Sequence, residues 1–239
     1  MNKGDFIMNQ VNVNERLKAE EACIQEFLSK TMALNEALKA TSKQVKVKIN
    51  TEDLRTLKDS GYRMCFAKKV GSESYNVVWQ SYKDFSENNE FSWIPQYQAF
   101  RTDTFMAGVQ VETSSDPVNI GLGELTTIDQ YGILSDPVTG GDATAINVNN
   151  QYQATHLGVC QLSTGIDRKT ISTPIYVSEN KCMLGSATLK PIEKVLVWFE
   201  QEAETGTMFT NMRSMAIEVD LTQENEISVK YEDEKWSFV

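Results

Sequence analysis

The hydrophobic pattern of this chain changes period once, near residue 42. Before that point Leu17, Ile24, Phe27, Leu34 and Leu38 recur at spacings of seven, three, seven and four, with no Gly or Pro between Asn14 and Ala40. That spacing puts five apolar side chains on one stripe of an α-helix of about seven turns. Glu20 and Thr31 interrupt a strict heptad, and five acids and five bases between Val11 and Gln44 leave the segment neutral. The pattern predicts a flexible arm over 1–10, an amphipathic helix over 11–44 and a single β domain over 45–239. Three readings of the stripe compete. It packs on the sheet of its own chain, it joins a helix of another subunit, or it lies in a membrane interface. The many charges weigh against the last.

From Ser42 onward the period is two. Val45, Val47 and Ile49 alternate with Lys46, Lys48 and Asn50, a half-buried strand whose lysines suit a sheet edge. Residues 51–60 fit a short helix ending at Gly61. Tyr62, Met64 and Phe66 alternate with Arg63, Cys65 and Ala67, and further strands are predicted around Val77 to Trp79, Phe91 to Phe100, Val109 to Val111, Val118 to Leu122, Ile146 to Val148 and Thr170 to Val177. Asn88-Asn89 is expected to turn the chain, and Pro95 to mark an edge or a bulge. Val195-Leu-Val-Trp-Phe199 is the most apolar run, and five such residues in a row predict a strand covered on both faces near the centre of a sheet. Met215 to Leu221 alternates again, and Ile227 to Tyr231 pairs with Trp236 to Phe238 across Glu232 to Lys235. About 10–12 short strands, with turn signals and no helices between them, predict a mainly β protein. The expected architecture is an antiparallel β-sandwich with one long N-terminal amphipathic α-helix.

Composition narrows the function. The net charge is −10, and seven acids against two lysines in residues 218–239 supply half of it. Phosphate binding needs the opposite balance, so nucleic acid is not an expected partner. The N-terminus has no apolar core of a signal peptide, so the cytoplasm is the expected location, with release by a non-classical route as the alternative. Cys23, Cys65, Cys160 and Cys182 are widely spaced and form no CxxC pair. Cys65 and Cys160 are expected as buried thiols, and a Cys160–Cys182 bridge would require an oxidising compartment.

The chain carries few residues in patterns that chemistry requires. His156 is the only histidine and sits in no nucleophile motif, so multi-histidine metal sites are excluded. Gly121-Leu-Gly123 lacks the third glycine of a dinucleotide fingerprint, and no phosphate-binding loop is present. Glu200, Glu202 and Glu204 would share a face if the central strand continued, as glycosidase carboxylates need, but no second acid is placed across a cleft. Asp136, Asp142 and Asn147 lack EF-hand spacing. No metal, cofactor or catalytic residue is therefore expected. The aromatics are denser, with Trp79, Tyr82, Phe85, Phe91, Trp93, Tyr97 and Phe100 within 22 residues. Most belong to a core, while a surplus at a loop tip would stack on sugar or lipid. Trp79, Tyr82, Phe85, Trp93 and Tyr97 are the candidate ligand- or membrane-facing aromatics. The leading expectation is a non-enzymatic, self-associating interaction or assembly protein, a homo-oligomer built through its N-terminal helix and strand edges. A membrane-active pore-forming (cytolysin-like) protein and a carbohydrate-binding module are the alternatives.

Overall fold

The computed structural model describes residues 41–72, 75–210 and 215–239, together with Gln25. Leu17, Ile24, Phe27, Leu34 and Leu38, the stripe of the expected helix, lie outside these residues. Gln25 and Thr41 are helical, and Lys43 and Gln44, expected in the helix, already belong to the first strand.

Ser42–Val239 is a compact, mainly β unit of three sheets. The largest holds β1 (Lys43–Ile49), β4 (Asn88–Thr102), β9 (His156–Thr164), β10 (Thr170–Val177), β14 (Glu226–Glu232) and β15 (Lys235–Phe238) in the order β10-β9-β4-β1-β14-β15, with β5 (Val118–Ile120) also on β4. The second is β13-β12-β2-β3, from β2 (Arg63–Val70), β3 (Gln80–Tyr82), β12 (Pro191–Glu200) and β13 (Ile217–Asp220). The third and smallest is β11-β8-β6-β7, from β6 (Glu124–Ile128), β7 (Val138–Thr139), β8 (Ile146–Asn150) and β11 (Gly185–Leu189).

β12 carries the apolar run and lies between β13 and β2, as expected of a central strand. Val195 and Val197 enter the main core with Phe66, Trp79 and Phe91, while Leu196 and Trp198 face the opposite side among Cys65, Val78 and Phe209. Burial on both faces explains why no polar residue alternates there. The main core is filled from two sheets at once. Phe66 of β2 stacks on Phe91 of β4 at 4.2 Å between ring centroids. At roughly 1.5–3 kcal/mol per buried large apolar side chain, such contacts dominate the stability of the unit.

The one described helix of regular length, α1 (Thr51–Asp59), starts where the Asn50 side chain accepts the Glu52 N–H at 2.9 Å and ends before Gly61 at φ +73°. Pro95 marks a bulge. Between Trp93 and Tyr97 the pairing of β4 with β9 slips, and there β4 changes its other neighbour from β1 to β5.

Several expectations are corrected. Pairing is not antiparallel throughout, because β1 with β14 and β6 with β8 are parallel. Nor is β1 an edge, since β4 and β14 flank it. Lys46 and Lys43 find lateral partners instead. Lys46 Nζ lies 2.7 Å from Glu226, and Lys43 Nζ donates to Leu221 O, Glu224 O and Asn225 Oδ1. Asn88-Asn89 opens β4 rather than turning the chain, because the Asn89 side chain ties off the preceding loop through Ser86 N and Ser86 O. Val109 to Val111 forms no strand, only an isolated bridge at Gln110. β9, unforeseen, lies between β10 and β4.

Candidate functional site

The densest polar chemistry lies inside the core. Alternation along β2 sends Met64, Phe66, Lys68 and Val70 to the same side, so a lysine is delivered to an apolar layer. The Lys68 side chain is 0% exposed, and its Nζ lies 2.6 Å from Glu193 Oε2. The same oxygen accepts the Trp93 indole N–H at 2.8 Å. Lys68 Nζ is 4.6 Å from the centroid of a Trp93 ring and 6.0 Å from that of Trp79. Glu193 reaches this position from a bulge in β12, where the pairing with β2 slips between Ile192 and Val195. Burial pushes the Lys68 ammonium down to about 8, against the opposing pull of Glu193. A lysine with a lowered pKa is a better nucleophile, but no substrate reaches an amine that is fully enclosed. The arrangement acts as a clamp, since Glu193 on β12 binds Lys68 in its own sheet and Trp93 in the other.

The predicted aromatics converge on this clamp and on the core around it. Trp79, Phe85, Trp93 and Tyr97 are buried, and Tyr82 is half-buried in a T-shaped contact with Phe66. Trp79 meets Trp93 with 5.5 Å between ring centroids and Phe85 lies against Phe199, so these rings pack in the core instead of forming a loop-tip platform. The glutamates do not line up, because β12 ends at Glu200. Glu200 accepts the Trp198 indole at 2.8 Å, and Glu204 lies 3.3 Å from Arg63. His156 is buried at the start of β9, with Nδ1 2.7 Å from Ser178 O. Cys160 and Cys182 are free thiols, Cys65 is buried, and burial raises Cys160 to about 12. Asn147 spends its side chain on loop backbone, at Asp142 N, Glu124 O, Asp142 O and Ala145 O. No group of metal-ligating side chains occurs among the described residues.

A second cluster, unforeseen in the sequence, lies at one end of the small sheet. β6 and β8 run parallel, so both finish there, and β11 begins there with Gly185 opposite Asn150. The turn after β6 presents Tyr131 and Ile133, and the segment before β11 presents Met183 and Leu184, each 63–72% exposed. Both segments are held firmly. Asp129 Oδ1 accepts the N–H of Tyr131 and of Ile133, and Arg101 Nε donates to Gly132 O at 2.9 Å. Gly132 has φ +83°, and a Cβ there would fall 2.8 Å from Arg101 Nε. Arg101 also stacks on Tyr152 and pairs with Asp103. On the other side Asn150 Nδ2 donates to Cys182 O and Met183 O. A groove of about 630 Å³ is lined by the turn together with Ser114, Ser115 and Asp116. The available signal is local, a Tyr-Gly-Ile turn that begins two residues after Asp129.

No described helix is long and apolar enough to cross a membrane. Comparison with protein-family models, curated proteins and solved structures gave no significant match.

Proposed function

We propose that this is a non-enzymatic interaction protein that self-associates, with the end of the small sheet as its contact. We read the two larger sheets as the layers of a β-sandwich, and the segment from residue 11 up to β1 as a helix that takes part in assembly. The observation that carries the proposal is the combination of exposure and fixation at Tyr131, Ile133, Met183 and Leu184. Exposed apolar groups cost solubility unless something covers them. Groups already fixed in place lose little entropy on contact, which favours association. Light scattering after size exclusion, from low to high micromolar, tests this on the full chain. An oligomer is expected, and a Tyr131→Ser/Leu184→Ser variant is expected to elute as a monomer with an unchanged melting temperature. A full chain that stays monomeric across that range rules the proposal out.

The groove beside Tyr131 favours a second reading, a carbohydrate-binding module. An exposed aromatic ring beside hydroxyls and a carboxylate suits a sugar. A glycan array of the full chain and of Tyr131→Ala tests it, with any hits expected to disappear in the variant.

A further inference from the structure

We infer that the mouth of the core between α1 and the β14–β15 hairpin is a binding site for a quaternary ammonium group. This stands apart from the assembly reading and uses none of its residues. The mouth encloses about 380 Å³. Tyr62, Phe199, Met215 and Tyr231 wall it, and Asp53 and Glu234 stand at its rim. The walls are fixed. Phe199 stacks on Trp236 with 5.3 Å between centroids, Tyr231 meets both rings at 4.9 Å, and the Trp236 indole donates to Met215 O at 3.0 Å. Asp53 Oδ2 accepts the Asp233 N–H at 2.9 Å, which ties the helix to the hairpin turn.

Electrostatics gives the sign of the ligand. Among the described residues no lysine or arginine lines the mouth and no salt bridge is made by Asp53 or Glu234. Burial raises the pKa of the Tyr231 hydroxyl, and the charges of Asp53 and Glu234 add to the rise, so both carboxylates act on a group that walls the cavity. The ligand is therefore a cation with an apolar body. A calcium ion does not fit, because it takes about six to eight oxygen ligands and the rim offers two carboxylates. A primary ammonium would be held at the rim, where its three N–H donors meet the two carboxylates, and would leave the aromatic walls unused. A quaternary ammonium has no donor to satisfy, and aromatic walls with nearby negative charge are its usual surroundings.

The experiment is titration of the full chain with choline chloride, read by heat and by the ¹³C shift of the Met215 methyl. Saturable binding with a shift at Met215 is expected. The uncharged isostere 3,3-dimethylbutan-1-ol is expected to bind roughly tenfold more weakly or worse. An Asp53→Asn/Glu234→Gln variant is expected to keep its melting temperature and to lose about tenfold in affinity. Glu234→Gln alone, in an exposed turn, serves if Asp53→Asn loosens the hairpin. The inference is overturned by a choline titration that never saturates, by an isostere that binds as well as choline, or by full affinity in the variants. Phosphatidylcholine against phosphatidylglycerol vesicles, and a trimethyl-lysine peptide against its unmethylated form, then tell a lipid headgroup from a modified protein.

Discussion

The clamp at Lys68 and the apolar end of the small sheet invert the burial rule in opposite directions. One places a charge in the core, and the other places Tyr131, Ile133, Met183 and Leu184 in water. Both are held by directed hydrogen bonds, but those bonds do different work. Around Lys68 they satisfy groups that cannot reach water, so losing one partner strands the other. Around Tyr131 they fix only backbone, through Asp129, Arg101 and Asn150, and leave the side chains outside the stability of the fold. The first region should therefore be costly to alter and silent in binding, and the second cheap to alter and decisive in binding.

The largest effect belongs to Glu193→Ala. It leaves a buried ammonium and the Trp93 indole without their acceptor, and an unfolding titration should show a loss of about 3–5 kcal/mol. Lys68→Met leaves the Glu193 carboxylate, which is partly exposed and keeps the Trp93 indole N–H, so it should cost less than Glu193→Ala. Equal costs for the two would mean that the pair is not a desolvated ion pair. Next comes Gly132→Ala, which forces a left-handed residue against Arg101 and should lose about 1–3 kcal/mol by the same measurement.

A smaller effect is visible only against pH. The folded pKa of Lys68, about 8, lies below its ordinary 10.5. Between these values the unfolded chain holds a proton that the folded chain has released, so stability rises with pH across that window. The cost of the buried charge is full below about pH 8 and is relieved toward 10.5. Urea titrations at successive pH values should show wild type gaining on Lys68→Met as pH climbs from 8 to 10.5, and a flat difference would remove the shift. The smallest effect on stability, within about 0.5 kcal/mol, is expected for Tyr131→Ser/Leu184→Ser, although it abolishes the proposed association. A large loss of stability there would erase the contrast between the two regions.

Period and punctuation made much of the fold legible. The run at 195–199 marked an interior strand, Pro95 a bulge, and Gly61 the end of α1. Topology was not legible, because nothing local in Val45 to Ile49 announces a parallel partner in Glu226 to Tyr231. β9 was missed because Gly158 and Cys160 dilute its apolar pattern, although a Cβ at Gly158 would fall 2.1 Å from the Phe100 ring. Lys68 could have been found, since it occupies a core position in the Met64, Phe66, Lys68, Val70 alternation. The aromatics at 79–97 were visible as a cluster, but composition does not reveal which way a strand faces.

The pairing of β1 with β14 sets a timetable for synthesis. Lys46 and Glu226 are separated by 180 residues. At about 5–20 residues per second a ribosome needs roughly 10–40 s to make that stretch. For that interval β1 has one side without its native partner, and neighbouring nascent chains on a polysome are the nearest strands able to pair with it. Lysine is the residue that deters such pairing, and β1 carries Lys43, Lys46 and Lys48. The charge pattern of an edge strand is thus written into a strand that is an edge only while the protein is being made.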